Sequence, residues 1–170
     1  VKPANIFTCR FGRSTDWIKV LDFGMVKLEA GASDPRLTGE SVAAGTPAFM
    51  PPEQAVGGEV DARSDLYSLG CVAYWLLTGS PVFSGRTPME TIVHHVRTEP
   101  DPPSRRTEIG VPEELDRIIL DCLAKSSRDR PSSADELAHR LSGVPLEREW
   151  GPERAREWWN LHLPDEAGLP

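Results

Sequence analysis

Apolar and polar positions along the chain predict a mainly helical domain. The run 66–77 is apolar on all sides with a single clearly polar residue, a serine. A helix of this kind must be buried all round, and about 12 residues are too few to span a bilayer. We therefore expect a central helix over about 65–78, with Ser64 or Asp65 as its N-cap and Gly79 just beyond its end.

Four further helices are predicted after the central one. Capping boxes at 87–90 and 133–136 each predict a helix start, as does the proline at 112. A short last helix over 152–162 carries two adjacent tryptophans. The positions expected to face the core in the first three of these helices are Met89, Ile92, Val93, Val96, Leu115, Ile118, Ile119, Cys122, Leu123, Leu137 and Leu141.

The first part of the chain is β-rich. Runs 5–9 and 17–21, separated by the polar loop 10–16, predict a β-hairpin. Asn5 enters the first strand and Asp22 leaves the second, so the two residues lie at the same end of the hairpin. Amide and carboxylate oxygens are ligands that Mg²⁺ uses when phosphate completes its shell. The alternative is that both residues are ordinary turn formers beside strands.

The segment 24–63 has little periodicity and is rich in Gly, Pro, Ser and Thr. A loop of about 30 residues is uncommon in a compact domain unless it serves a function. The 16 prolines and 14 glycines of the 170 residues agree with extensive ordered loops.

Charge and cysteine content narrow the classes of function. Twenty-six acidic against 19 basic residues give a net charge of -7, which argues against a nucleic-acid binder or a protein that binds anionic membranes. Three widely spaced cysteines without a Cys-x-x-Cys pair indicate a reduced, cytosolic protein with no zinc site. His94 and His95 are expected on the outer face of a helix, without a third metal ligand. The chain begins at Val1 with no leader, and we expect it to be cut from a longer sequence.

Five segments, in the right order, resemble the motifs of protein kinases. They are Val1-Lys-Pro-Ala-Asn5 (the end of the catalytic loop), Asp22-Phe-Gly24 (the metal-binding motif), Met50-Pro-Pro-Glu53 (the end of the activation segment), Ser64-Asp-Leu-Tyr-Ser-Leu-Gly70 and Arg128-Asp-Arg130-Pro. The resemblance covers residues 1–142 and is closest to bacterial-type serine/threonine kinases.

The resemblance implies the large, C-terminal lobe of a kinase: a short hairpin, the activation segment and a helical bundle over 1–142. Residues 143–170 would then be a tail whose short helix carries tryptophans, docked on the lobe or, alternatively, offered to a partner. A Gly-rich loop, a strand Lys paired with a helix Glu, and a His-Arg-Asp do not occur in the 170 residues. We expect the N-terminal lobe, the first helices of the large lobe and the catalytic Asp to be absent, and the chain alone to be inactive.

The resemblance also implies roles for individual residues. Asn5 and Asp22 would hold Mg²⁺ on the phosphates of ATP, and Lys2 would lie beside the transferred phosphoryl group. A Lys followed by Pro-Ala-Asn favours Ser/Thr over Tyr substrates. Thr46 would hydrogen-bond the catalytic Asp and shape the acceptor pocket, or it is simply a turn residue.

Five residues are assigned structural roles by the same resemblance. Phe23 would act as a packing switch, and Gly24 would provide backbone freedom. Glu53 and Arg130 would form a buried ion pair. Asp65 would cap the central helix and hold the catalytic-loop backbone, although capping alone accounts for it.

Thr38 and Ser41 are candidate phosphorylation sites, because a new dianion near Lys27 or a catalytic-loop Arg would order the loop. The alternative is that both are ordinary solvated hydroxyls.

The partners implied are protein substrates and the chain itself through autophosphorylation of the activation loop, with no nucleic acid and no membrane segment within this chain. We expect a cytoplasmic location, with any anchor of the parent protein outside this chain. The competing hypothesis is a non-catalytic, truncated kinase lobe that binds partners through residues 87–110 and the tail.

Overall fold

The computed structural model of the chain describes residues 1–12, 14–21, 47–146 and 149–163. Within these ranges the chain is mostly helical, with one two-stranded antiparallel sheet. The elements are β1 (Ile6–Phe11), β2 (Ser14–Val20), α1 (Pro52–Ala55), α2 (Ala62–Thr78), α3 (Pro88–Arg97), α4 (Glu113–Cys122), α5 (Ala134–Ser142) and α6 (Pro152–His162). The predictions for Asp22, Phe23, Gly24, Thr38, Ser41 and Thr46 lie outside the described residues.

The chain forms two compact units. The first contains residues 1–2 and the helices α1 to α5, and the second contains the hairpin and α6. No helix in the described part of the chain is long and apolar enough to cross a membrane.

The central helix α2 starts three residues earlier than the sequence predicts. Its N-cap is Asp61, whose extended backbone lets the carboxylate accept a hydrogen bond from the Arg63 amide at 2.8 Å. The expectation that Ser64 or Asp65 caps this helix is therefore wrong: Ser64 is buried, and Asp65 lies in the first turn. The helix ends as predicted at Gly79, which takes the left-handed conformation with φ 67°.

The core of the first unit lies between α2 and α4. One cluster groups the buried residues Tyr67, Cys71, Tyr74, Val82, Phe83, Ile119 and Leu123, and a second groups Leu66, Ile118, Cys122 and Leu137. Gly70 permits the close approach of the two helices, since a Cβ there would stand 2.7 Å from the Cβ of Cys122. Both buried cysteines are core residues, as the apolar pattern predicts.

The N-cap bonds of the predicted capping boxes of α3 and α5 form, but the Glu90 and Glu136 carboxylates accept from the amides of Arg86 and Ser132, one residue before each cap. Thr87 Oγ1 accepts a hydrogen bond from the Glu90 amide, and Ser133 Oγ accepts one from the Glu136 amide, each at 3.1 Å. The predicted buried faces are only partly right, because Met89, Val93 and Leu141 are exposed.

His95 is a clear correction, since the sequence placed it on the outer face of α3 and the structure buries it completely. The imidazole is hydrogen-bonded to Tyr67, at 2.8 Å between Nδ1 and the phenol oxygen. A hydrogen-bonded neutral histidine is buried far more readily than a charged one, and counting apolar positions along a helix does not detect it.

The hairpin of the second unit is tighter than predicted. Its strands extend through most of the segment 10–16, which was expected to be loop, and the turn lies at Gly12, with φ 60°. Cys9 pairs with Trp17 and Phe11 pairs with Ser14, so the distance between these two pairs is two residues along β1 and three along β2. β2 therefore carries one extra residue in this interval. Asp16 lies in this interval with φ 59°. The last helix, α6, has the predicted bounds and packs against β2.

Candidate functional site

The open end of the hairpin carries the proposed metal ligand Asn5. Asn5 ends a 3-10 turn that leads into β1, and its backbone carbonyl accepts a hydrogen bond from the Leu21 amide at 2.7 Å. This pair continues the register in which Ile6 faces Val20. The backbone position of Asn5 is therefore fixed against the residue that precedes Asp22 in the sequence. The other proposed active-site residue in the described part, Lys2, is half-buried.

Glu53 and Arg130, which are 77 residues apart, form a bidentate ion pair. Arg130 donates from Nη2 to Oε2 at 2.7 Å and from Nη1 to Oε1 at 2.8 Å. The Arg130 side chain is completely buried and that of Glu53 is 14% exposed. Ser64 Oγ donates a third hydrogen bond to Oε1 at 2.5 Å. Two motifs far apart in the sequence are thus joined by one charge pair.

Arg130 uses all five of its N–H groups. Besides the two bonds to Glu53, it donates to three backbone carbonyls: Nε to Ala124 at 2.9 Å, Nη1 to Arg63 at 3.0 Å and Nη2 to Lys125 at 3.2 Å. Full use of the guanidinium donors compensates for taking the charge out of water.

Burial and hydrogen bonding act in opposite directions on Glu53. Burial by itself would raise the pKa of the carboxyl, but the hydrogen bonds from Arg130 and Ser64 keep that pKa below its ordinary value. The pair is therefore ionised at neutral pH.

One face of α2 carries polar groups that hold the segment 47–53. Ser64, Tyr67 and Ser68 stand at positions i, i+3 and i+4, and all three are buried. Ser64 binds Glu53, while Ser68 Oγ donates to the Phe49 carbonyl at 2.9 Å. The segment that resembles the end of the activation segment is thus fixed to the central helix by its backbone as well as by its carboxylate.

Tyr67 of this face also belongs to a second polar group, together with the buried His95 and the half-buried Lys125. Lys125 Nζ donates to the His95 carbonyl at 3.0 Å and lies 4.5 Å from the centre of the Phe83 ring. Burial lowers the pKa of His95 to about 4 and that of Lys125 to about 8. Burial also raises the pKa of the Tyr67 hydroxyl. His95 is therefore neutral at pH 7.

Asp65 points away from the core, with 73% of its side chain exposed, and its Oδ1 lies 3.6 Å from the backbone nitrogen of Val1. The carboxylate therefore faces the segment that resembles the catalytic loop.

Among the residues that the structure describes, no group of three or more His, Cys, Asp or Glu side chains could hold a metal ion. Burial raises the pKa of Cys71 and Cys122, so neither is a reactive thiolate.

The sequence did not predict the two polar groups beside α2, which contain Tyr67, Ser68, His95 and Lys125. A signal was available: within an otherwise apolar run, the hydroxyl-bearing residues fall on one helical face. Their partners come from elsewhere in the chain, so the pattern alone does not identify what they bind.

Comparisons with known proteins agree with the motifs. The family model for the protein kinase domain matches residues 1–142. The serine/threonine-protein kinase PknB of Mycobacterium leprae (strain TN) is 44% identical over 151 residues, which cover 86% of this chain and 23% of the relative. PknB of Mycobacterium tuberculosis (strain ATCC 25618 / H37Rv) is also 44% identical, over 85% of this chain and 22% of the relative. Serine/threonine-protein kinase pkn3 of Myxococcus xanthus is 39% identical, over 87% and 27%.

The chain thus spans between 22% and 27% of the length of these relatives. The match to the family model covers most of its 170 residues and includes both ends of the Glu53–Arg130 pair. The chain belongs to the protein kinase family and is a member of its bacterial serine/threonine type.

Proposed function

We propose that residues 1–142 are the greater part of the large lobe of a bacterial, cytoplasmic enzyme that transfers the γ-phosphate of ATP to Ser and Thr hydroxyls of proteins. The observation that carries this proposal is the buried Glu53–Arg130 pair. It anchors the end of residues 22–53, the segment that resembles the activation segment of a kinase, to the helical core. A kinase needs this anchor, since the loop presents the protein substrate and must be fixed at its end while its middle rearranges.

Asn5 and Asp22 are the proposed Mg²⁺ ligands. Their amide and carboxylate oxygens suit a hard cation, and the Asn5–Leu21 bond fixes the backbone of the first ligand beside the residue that precedes the second. When bound, Mg·ATP supplies the phosphoryl group and neutralises charge on it. Lys2 places a further positive charge in the same segment, where it would offset charge that develops during transfer.

The loop residues complete the proposed mechanism. Thr46 directly precedes the anchored segment 47–53 and would shape the pocket for the acceptor hydroxyl. Phe23 and Gly24 would let the loop change its conformation. Phosphorylation of Thr38 or Ser41, including by the kinase itself, would order the loop through new contacts with basic side chains.

The metal assignment is tested by Asp22→Ala in the kinase that contains this chain. We expect phosphoryl transfer to be abolished while the thermal unfolding midpoint stays unchanged, because the proposed role of this carboxylate is to bind the metal rather than to stabilise the fold. Asp135→Ala, an exposed carboxylate in the first turn of α5, is the matched control and should keep its activity. Retained transfer in Asp22→Ala would remove the assignment.

We further propose that the 170 residues alone do not catalyse transfer, since the Gly-rich loop, the Lys–Glu pair and the His-Arg-Asp motif are not among them. Calorimetry of the chain with Mg·ATP should show no binding at micromolar concentration, and binding there would contradict this. A reading frame that continues upstream of Val1 through these motifs favours the kinase. A native start near Val1 would favour the competing proposal, a non-catalytic interaction module.

A further inference from the structure

We propose that Trp150, α6 and Leu163 form a latch that holds the hairpin, here named the tail latch. Its release would loosen the hairpin as far as the Asn5–Leu21 end. The tail latch lies outside residues 1–142, which the family model matches, and it belongs to the same compact unit as the hairpin that it holds.

Asp16 of β2 is the main hairpin residue that the tail latch contacts. Its Oδ1 accepts a hydrogen bond from Trp159 Nε1 at 2.6 Å, and its Oδ2 accepts one from Trp150 Nε1 at 2.5 Å. An indole N–H can only donate, and a bond to a charged oxygen is stronger than one between neutral groups. One carboxylate thereby fixes two aromatic side chains that are more than 130 positions away in the sequence.

The backbone of Asp16 is adapted to this role. It stands at φ 59°, in the left-handed region, within the stretch where β2 carries an extra residue. Asp and Asn tolerate this conformation better than most residues, but it is retained only when surrounding contacts support it. The two indole bonds supply such contacts.

Arg10, on the other strand, adds a second attachment. Its Nη2 donates to the Leu163 carbonyl at 2.8 Å, and its guanidinium lies 5.3 Å from the centre of the Trp159 ring. On α6 the buried residues are Ala155 and Trp159, four positions apart, whereas Trp158 is 43% exposed. Only one face of the helix is therefore committed to the hairpin.

Contact at the turn end of the hairpin should affect its open end. An isolated two-stranded hairpin is at best marginally stable in water, so packing against α6 contributes to its order. The Leu21 amide, bonded to the Asn5 carbonyl, reports on the open end. That this end prepares a metal site rests on the proposed function; the coupling itself does not.

Amide hydrogen exchange of the 170-residue chain tests the tail latch without nucleotide. Asp16→Asn keeps the tolerance for positive φ but turns an NH₂ group towards one indole N–H. Trp150→Phe/Trp159→Phe removes both donors and keeps aromatic rings. In both variants we expect exchange at Leu21 and along β1 and β2 to be about tenfold faster, with α2 unchanged. Trp158→Phe is the matched control and should exchange as the wild type does.

Two results would overturn the proposal. One is exchange at Leu21 within about twofold of the wild type in both variants, which would show that the open end does not depend on the tail. The other is equal acceleration in α2, which would show general destabilisation. Because no ATP or metal is used, failure here leaves the proposed kinase reaction untouched, and that reaction is tested separately by phosphoryl transfer.

Discussion

At the scale of single residues, Arg130 differs from the surface ion pairs in the described part of the chain, because its side chain is buried and hydrogen-bonded through all five N–H groups. It joins α1 to the start of α2 and to the segment after α4 through five hydrogen bonds, and its guanidinium also lies 4.8 Å from the centre of the Tyr67 ring. Exposed pairs such as Arg117–Glu114 contribute little, because water and salt screen them. The buried pair is different, because neither charge can return to water if the other is removed.

We predict that Arg130→Met lowers the free energy of unfolding by about 3–5 kcal/mol, since it leaves the Glu53 carboxylate buried without its partner. Urea unfolding followed by circular dichroism measures this. Arg117→Met, in an exposed pair, is the control and should leave the urea midpoint unchanged. The double variant Arg130→Met/Glu53→Met should recover part of the loss; a double variant that is less stable than the single one would contradict the electrostatic explanation.

Sequence motifs predicted the ion pair but not its surroundings. The pairing of Glu53 with Arg130 follows from the family resemblance, whereas the bond from Ser64 and the cap by Asp61 do not. Asp61 and Asp65 stand four residues apart and both resemble N-caps. The choice between them depends on Ser64, which is buried against Glu53 and therefore lies inside the helix.

At the scale of elements, the contact between α2 and α4 depends on a missing side chain. A Cβ at Gly70 would meet Cys122 Cβ at 2.7 Å and the Leu123 side chain at 3.4 Å, so the helices could not keep their separation. Replacing a helical glycine by alanine normally gains about 1 kcal/mol. Overpacking a core costs about 1–3 kcal/mol, and a contact between two Cβ atoms cannot be relieved by a rotamer change.

We therefore predict that Gly70→Ala destabilises the chain despite its better helix propensity. Thermal unfolding should show a lower midpoint than the wild type. Gly110→Ala is the matched control, because a Cβ there meets nothing within 4 Å and the backbone needs no positive φ. A raised midpoint in Gly70→Ala would mean that α2 and α4 separate at no cost.

The faces of the helices were harder to predict than their bounds. Caps are encoded by residues within one turn, so the starts of α3, α5 and α6 follow from local sequence. Which side of α3 is buried depends instead on Tyr67 of α2 and on the neighbouring Pro47–Phe49 turn. For that reason His95 is inside and Met89 outside.

At the scale of the whole molecule, the buried His95 and the largely buried Glu53 make stability depend on pH below neutrality. Burial lowers the pKa of His95 to about 4, while its unfolded-state pKa is about 6.5. At a pH between about 4 and about 6.5, the His95 side chain therefore binds a proton in the unfolded state but not in the folded state. The stability due to neutral His95 is complete above about pH 6.5 and is lost as the pH falls to about 4. The lowered pKa of Glu53 acts in the same direction below about pH 4.5.

We predict that the free energy of unfolding falls between pH 6.5 and pH 4, with His95 contributing at most about 1.4 kcal/mol per pH unit. Urea unfolding at several pH values measures the slope. His95→Gln cannot take up this proton, and its carbonyl can still accept from Tyr67, so its slope should be shallower than that of the wild type. Equal slopes would show that His95 does not stay neutral in the folded state.

Local sequence by itself determined the helical class, the hairpin, the caps at Thr87 and Ser133, the end of α2 at Gly79 and the family motifs. Each depends on residues that are near neighbours or stand in a fixed order. Only the tertiary structure decided that Asp61 caps α2, that His95 is buried and that Asp16 binds two tryptophans. These features depend on partners far apart in the chain, and periodicity reports on one element at a time, so it cannot specify which buried polar group meets which.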